Sequence, residues 1–221
     1  LLFVGLAWAD LASTPQLSGA LLWARILYHQ SLSALLIAAT FVDADFTIIP
    51  DEITIPGMVI GLAGGTLLPM IRLEPAAAMT SWQGFLSGLS GLIVGGGIIW
   101  IIRLVGSFLF RREAMGFGDV TLMAMIGSYL GWEPMPPILF FAAFLGLIPS
   151  LGRCLIYIVL KARSWFSGKK RDLTLGEIPF GPWLSLAAIL LLLSWRWIWP
   201  HWLEPQYSAI SLIAELIQGG S

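Results

Sequence analysis

A chain of 221 residues with 57% apolar and only 11% charged side chains cannot cover its own surface in water, because a soluble domain carries about a quarter charged residues. With a mean hydropathy of +0.85, the bilayer is the solvent that suits it. The net charge of −1 excludes a nucleic-acid partner, which needs a basic excess to neutralise phosphates. The single cysteine, Cys154, excludes a disulfide framework or a paired-cysteine zinc site and reads as a small buried apolar residue.

A membrane-crossing helix needs about 20 apolar residues. The chain opens at Leu1 inside an apolar run with no basic region before it, so the run does not read as a signal peptide, and the expectation is a fragment that has lost upstream residues. The first segment covers Leu1–Ala12 and the second Ile26–Val42. A third runs over Ile53–Ile71 and a fourth over Trp82–Val105. Val120–Trp132 is a short fifth, Pro136–Leu160 a sixth containing Arg153, and Pro179–Trp199 a seventh. The tail Tyr207–Ile217 has helical spacing but cannot cross, and is expected at the interface. The expected fold is all-α: one polytopic bundle of about six to seven segments, a single domain over residues 1–221.

Loop charge sets the orientation. Arg103, Arg111 and Arg112 fall in one loop and Lys161, Arg163, Lys169, Lys170 and Arg171 in another, eight of the twelve basic residues. Arg72, Arg196 and a belt of Trp195, Trp197, Trp199 and Trp202 lie opposite. The basic side faces the cytoplasm, giving cytoplasmic loops at 44–52, 103–118 and 161–178. Two crossings separate the first two of these loops. Asp43 and Asp119 are therefore expected at the same, cytoplasmic, end of their helices.

Glycines crowd the third and fourth segments. Gly84/Gly88 and Gly91/Gly95 are four-residue pairs that let helices approach closely; a thin-walled path for an extended substrate is the sharper alternative. The two acidic clusters carry the chemistry, since carboxylates beside apolar segments are exceptions to the composition. The first reads Asp43-Ala44-Asp45, then Pro50-Asp51. Pro50 and Pro56 are expected to break the helix, with Asp51 capping the next one. The second reads Gly116-Phe117-Gly118-Asp119, where two glycines predict a non-helical turn delivering Asp119 onto an apolar helix.

Taken singly, Asp119 could be an N-cap and Asp43 a boundary marker. Together on one face they suit peptide hydrolysis. Two adjacent carboxylates resist ionising together and share a proton; one then activates water while the other supports the carbonyl oxygen. No metal and no cofactor is needed for this chemistry.

These stretches, with Ile178-Pro179-Phe180-Gly181-Pro182, resemble the bacterial type IV prepilin peptidases, which are membrane aspartic peptidases with a Gly-x-Gly-Asp motif. The resemblance covers nearly the whole chain. It implies Asp43 and Asp119 as the catalytic pair, with Asp45, Asp51, Gly116 and Gly118 as substrate-contacting or structural support. It implies an endopeptidase of the bacterial inner membrane, cutting the leader from type IV prepilins or type II secretion pseudopilins at the cytoplasmic face. Family members usually carry a further helix and a cytoplasmic region upstream, often zinc-binding. S-adenosylmethionine, which many use to methylate the new N-terminus, is not supported by this stretch of sequence. Thr121 stands where the commoner family pattern has a lysine.

The remaining polar residues read more plainly. Arg153 is expected to snorkel, His29 and His201 to sit at the interface, and Glu177 to be a solvated loop charge. Two other classes stay open on the residues alone. One is a solute or ion transporter, which intramembrane carboxylates and glycine-rich helices would also suit. The other is an inactive scaffold of a pilus or secretion assembly.

Overall fold

The computed structural model describes residues 1–13, 19–73, 80–111, 115–166 and 179–198. It is all-helical over these residues, with seven α-helices: α1 Leu2–Ser13, α2 Gly19–Phe46, α3 Asp51–Leu67, α4 Ser81–Phe110, α5 Phe117–Leu130, α6 Met135–Phe166 and α7 Gly181–Ile198. A single 3₁₀ turn, Pro69–Ile71, follows α3. By length and composition α2, α4 and the Met135–Gly152 part of α6 can each cross a membrane. The expected polytopic bundle is what forms.

Helix α5 is the axis of the bundle. Its 14 residues are apolar on every side, and from Asp119 to Leu130 all but Thr121 are buried, as an all-round apolar helix must be. At about 21 Å it is shorter than the hydrocarbon core. Its C-terminal end is completed by protein instead. The Arg72 guanidinium donates to the carbonyls of Tyr129 and Ser128 at 3.2 and 3.3 Å, and Tyr28 donates to Gly61 O at 2.7 Å and Tyr129 O at 3.2 Å. Backbone groups that lipid could not satisfy are thus paired.

Helices in lipid gain little from apolar burial, so close packing decides which of them associate. On α4, a side chain at Gly91 would strike the Gly127 carbonyl of α5, and one at Gly95 would come within 2.6 Å of Met123 O. Gly84 lies on the carbonyl of Gly65, and Gly88 on Arg72. The glycine pairs therefore serve close packing. On α3, Gly57 meets Met125 and Gly61 meets Ser128. These contacts fix the directions: α3 runs with α5, while α2 and α4 run against it. The C-terminal end of α2 and the N-terminal end of α5 accordingly reach the same end of the bundle.

Several local expectations are corrected. Residues 103–110 are not loop, because α4 continues to Phe110, and α6 likewise carries the expected 161–178 loop as helix through Phe166. Pro56 lies inside α3 without ending it, and Asp51 is the first helical residue rather than the cap, that place being held by Pro50 with no side-chain bond. His29 is not interfacial: it is buried, with Nδ1 2.8 Å from Asp10 Oδ1, and the same oxygen accepts from Arg25 Nε at 3.1 Å. Arg112, the side chains of Arg153, Cys154, Lys161, Arg163, Arg196 and Trp197, and Lys169, Lys170, Arg171, Glu177, Trp199, His201, Trp202 and Tyr207–Ile217 lie outside the described residues.

Candidate active site

Helix α2 carries Asp43 one turn before its end. The stop is local: Thr47 takes a left-handed backbone, φ 54°, and its N–H closes on the Asp43 carbonyl at 2.9 Å. Pro50 follows in extended conformation and holds the preceding residue away from helix. The outcome is that Asp43 faces inward, 5% exposed, while Asp45 and Asp51 face solvent.

Asp119 is the third residue of α5 and 7% exposed. The two glycines before it do not make the expected turn. Gly116 is the N-cap, with φ −66° and ψ 153°, and Gly118 is already helical. What Gly118 supplies is room: a Cβ there would sit 2.8 Å from the Cβ of Ile49. Gly116 is exposed and borders Asp119 Oδ2 at ordinary contact distance. Thr121 turns its hydroxyl back to donate to Gly118 O at 3.0 Å. Arg103, from α4, holds the approach to this helix by donating to Met115 O at 2.9 Å, with its guanidinium 5.8 Å from the centre of the Phe117 ring.

Ile49 is the pivot that brings the two acids into one site. It is buried between Gly118 at the start of α5 and Gly181 at the start of α7. A Cβ on Gly181 would lie 2.9 Å from Ile49 Cδ1 and 2.6 Å from Asp43 Oδ2, and the Gly181 amide is directed at the Asp43 carboxylate. The two carboxylates are near enough for the charge of Asp43 to act on Asp119. Each keeps one sealed oxygen, Asp43 Oδ2 and Asp119 Oδ1, without a hydrogen-bond partner. Unpartnered buried carboxylate oxygens are rare and costly when ionised. A pair of acids that holds one proton between them reduces that cost, and it leaves oxygens free to engage a third group.

The site thus gathers Asp43 and Asp119, with Gly116 and Gly118 beside them, and leaves Asp45 and Asp51 exposed outside it. Ile49, Gly181 and Arg103 were not assigned to it from sequence. Ile49 reads as one more apolar residue in a loop, and no periodicity links it to α7. The signals that were available were the Pro50 that follows Ile49 and the glycine that opens α7.

Comparison with known proteins adds an independent finding. The profile of the Type IV leader peptidase family matches residues 31–151. The chain is 30% identical to the prepilin leader peptidase/N-methyltransferase of Aeromonas salmonicida strain A449 over 73% of its own length and 47% of that protein. It is 27% identical to the protein of the same name from Pectobacterium carotovorum, over 85% of the chain and 54% of that protein. Against the Escherichia coli K12 protein, again of that name, identity is 26%, over 84% and 67%. The chain spans about half the length of the first two relatives. No solved structure gives a significant match.

Proposed function

Because the chain belongs to the type IV leader peptidase family, we propose that it is a membrane aspartic endopeptidase that removes the leader peptide from type IV prepilins or type II secretion pseudopilins. Asp43 and Asp119 share one proton. The ionised carboxylate takes a proton from water as the water oxygen attacks the scissile carbonyl carbon, and the protonated carboxyl donates to the carbonyl oxygen as charge builds there. Collapse of the tetrahedral intermediate breaks the C–N bond, and a proton from the pair goes to the leaving amine. No cofactor enters this cycle, and the proposal covers peptide hydrolysis alone.

One observation carries the reading. Two buried acids from separate helices converge around Ile49 at one end of a membrane bundle, each with a sealed oxygen lacking a partner. The relatives, named as prepilin leader peptidases, supply the substrate class. The site faces the cytoplasm of the bacterial inner membrane in this reading, supported by the eight basic residues grouped in two stretches of the sequence, 103–112 and 161–171.

The test is cleavage of a purified prepilin by the protein in nanodiscs. The unaltered chain is expected to release the leader, whereas Asp43→Asn and Asp119→Asn each lose about 1,000-fold or more in kcat, in line with removal of an essential acid–base group. Undiminished cleavage by either variant removes that aspartate from the mechanism. Failure of the unaltered protein to cut rejects the peptidase reading.

A further inference from the structure

We infer that Gly181 is a positioning residue for the Asp43 carboxylate, presenting the one free amide of the first turn of α7 to it across a gap that only glycine leaves open. The inference deepens the peptidase reading and rests on it for its kinetic arm.

Count the donors at the start of α7. Trp183 and Leu184 both give their N–H to Phe180 O, at 3.0 and 3.2 Å. Pro182 has no N–H to give. Among the residues Gly181–Leu184, the Gly181 amide is what remains, and it is directed at Asp43. Orphan donors at a helix start attract anions, and the dipole of the helix adds to them. Asp43 needs that help. It lies in the last turn of α2, the end at which a helix disfavours negative charge.

The space is as specific as the donor. A Cβ at position 181 would stand 2.6 Å from Asp43 Oδ2 and 3.2 Å from its Cγ, so any side chain there drives the carboxylate off the amide. Among the described residues, the groups that bear on Asp43 are few. Asp119 on α5 couples to it, α7 contributes the Gly181 amide, and Asp45 on α2 and Asp51 and Glu52 on α3 face solvent.

Gly181→Ala tests this by cleavage of purified prepilin across pH. The expected result is a fall in kcat of about 10-fold or more with KM within about twofold, since the loss is in the reacting pair and not in substrate binding. The acid limb of the rate profile should move up by about one pH unit, because a carboxylate that loses a donor to its charged form ionises less readily. A merely structural defect lowers the rate without moving that limb. Gly97→Ala, at a glycine with open space around it, should leave both unchanged. Wild-type kcat and an unmoved limb in Gly181→Ala overturn the proposal while the peptidase reading stands. The second arm needs no change at Gly181 and no cleavage. In ¹⁵N-glycine-labelled protein, the Gly181 amide proton should sit downfield and shift when Asp43→Asn is introduced. An amide resonance indifferent to that substitution overturns the proposal, even if Gly181→Ala fails to fold or the unaltered chain fails to cut.

Discussion

Asp10, Arg25 and His29 form a charged cluster sealed at the end of α2 remote from Asp43. Asp10 Oδ1 serves Arg25 Nε at 3.1 Å and His29 Nδ1 at 2.8 Å, and Arg25 Nη2 reaches Leu73 O at 3.4 Å. Arg25 is only 1% exposed, so its charge depends on Asp10 for compensation. Breaking such a pair from one side costs far more than removing both members. Asp10→Ala is expected to destabilise the protein by about 3–5 kcal/mol, and Asp10→Ala combined with Arg25→Met to recover most of the loss. Thermal unfolding in detergent measures both; equal instability of the single and double variants would show that the charge is not the cause. Thr47 stores strain of a different kind. A β-branched residue at φ 54° is strained, and Asn tolerates that region better. Thr47→Asn should therefore gain roughly 0.5–1 kcal/mol in the same measurement, and a loss would contradict the assignment of strain.

Within α4, glycines of the same type do opposite things, and only their surroundings separate them. Gly91 abuts the backbone of α5, whereas Gly97 faces open space. Gly91→Ala should thus push α4 off α5 at a cost of about 1–3 kcal/mol, while Gly97→Ala should gain up to about 1 kcal/mol from helix propensity. Melting temperatures that move in the same direction would refute this packing account. Helices of this kind were legible in the sequence because a long apolar run has one dominant reading in a charge-poor chain. Their ends were less so. Arg103 looks like loop by hydropathy, yet it extends from α4 to bond Met115 O, since a long basic side chain can reach polar groups while its backbone stays helical. The Gly116–Gly118 pair was legible as special but not in what it does. Gly118 serves by proximity to Ile49 rather than by unusual φ, and proximity depends on a partner from another segment. The approach of Gly181 to Asp43 was hidden for the same reason, as was the pairing of His29 with Asp10.

At the scale of the molecule, the alternation of direction from α2 through α3 and α4 to α5 is what brings Asp43 and Asp119 to one end. Helix α3 spans about 25 Å and α4 about 45 Å, so the chain leaves the site after α2 and returns to it before α5. Hydropathy places the same two passes, α3 and α4, between Asp43 and Asp119. Loop charge supplies the separate question of which end meets the cytoplasm. Asp45, exposed beside the site, and Ser81, exposed at the start of α4, mark the two ends. In a Cys154→Ser background, Asp45→Cys should react with a membrane-impermeant maleimide in inside-out vesicles and not in spheroplasts, and Ser81→Cys should do the reverse. Labelling of both from one side would contradict the single pass of α3 between them. A clean reversal would keep the bundle and turn it over in the membrane. The acid pair would then face away from the cytoplasm, and newly made prepilin with an uncrossed leader could not reach it.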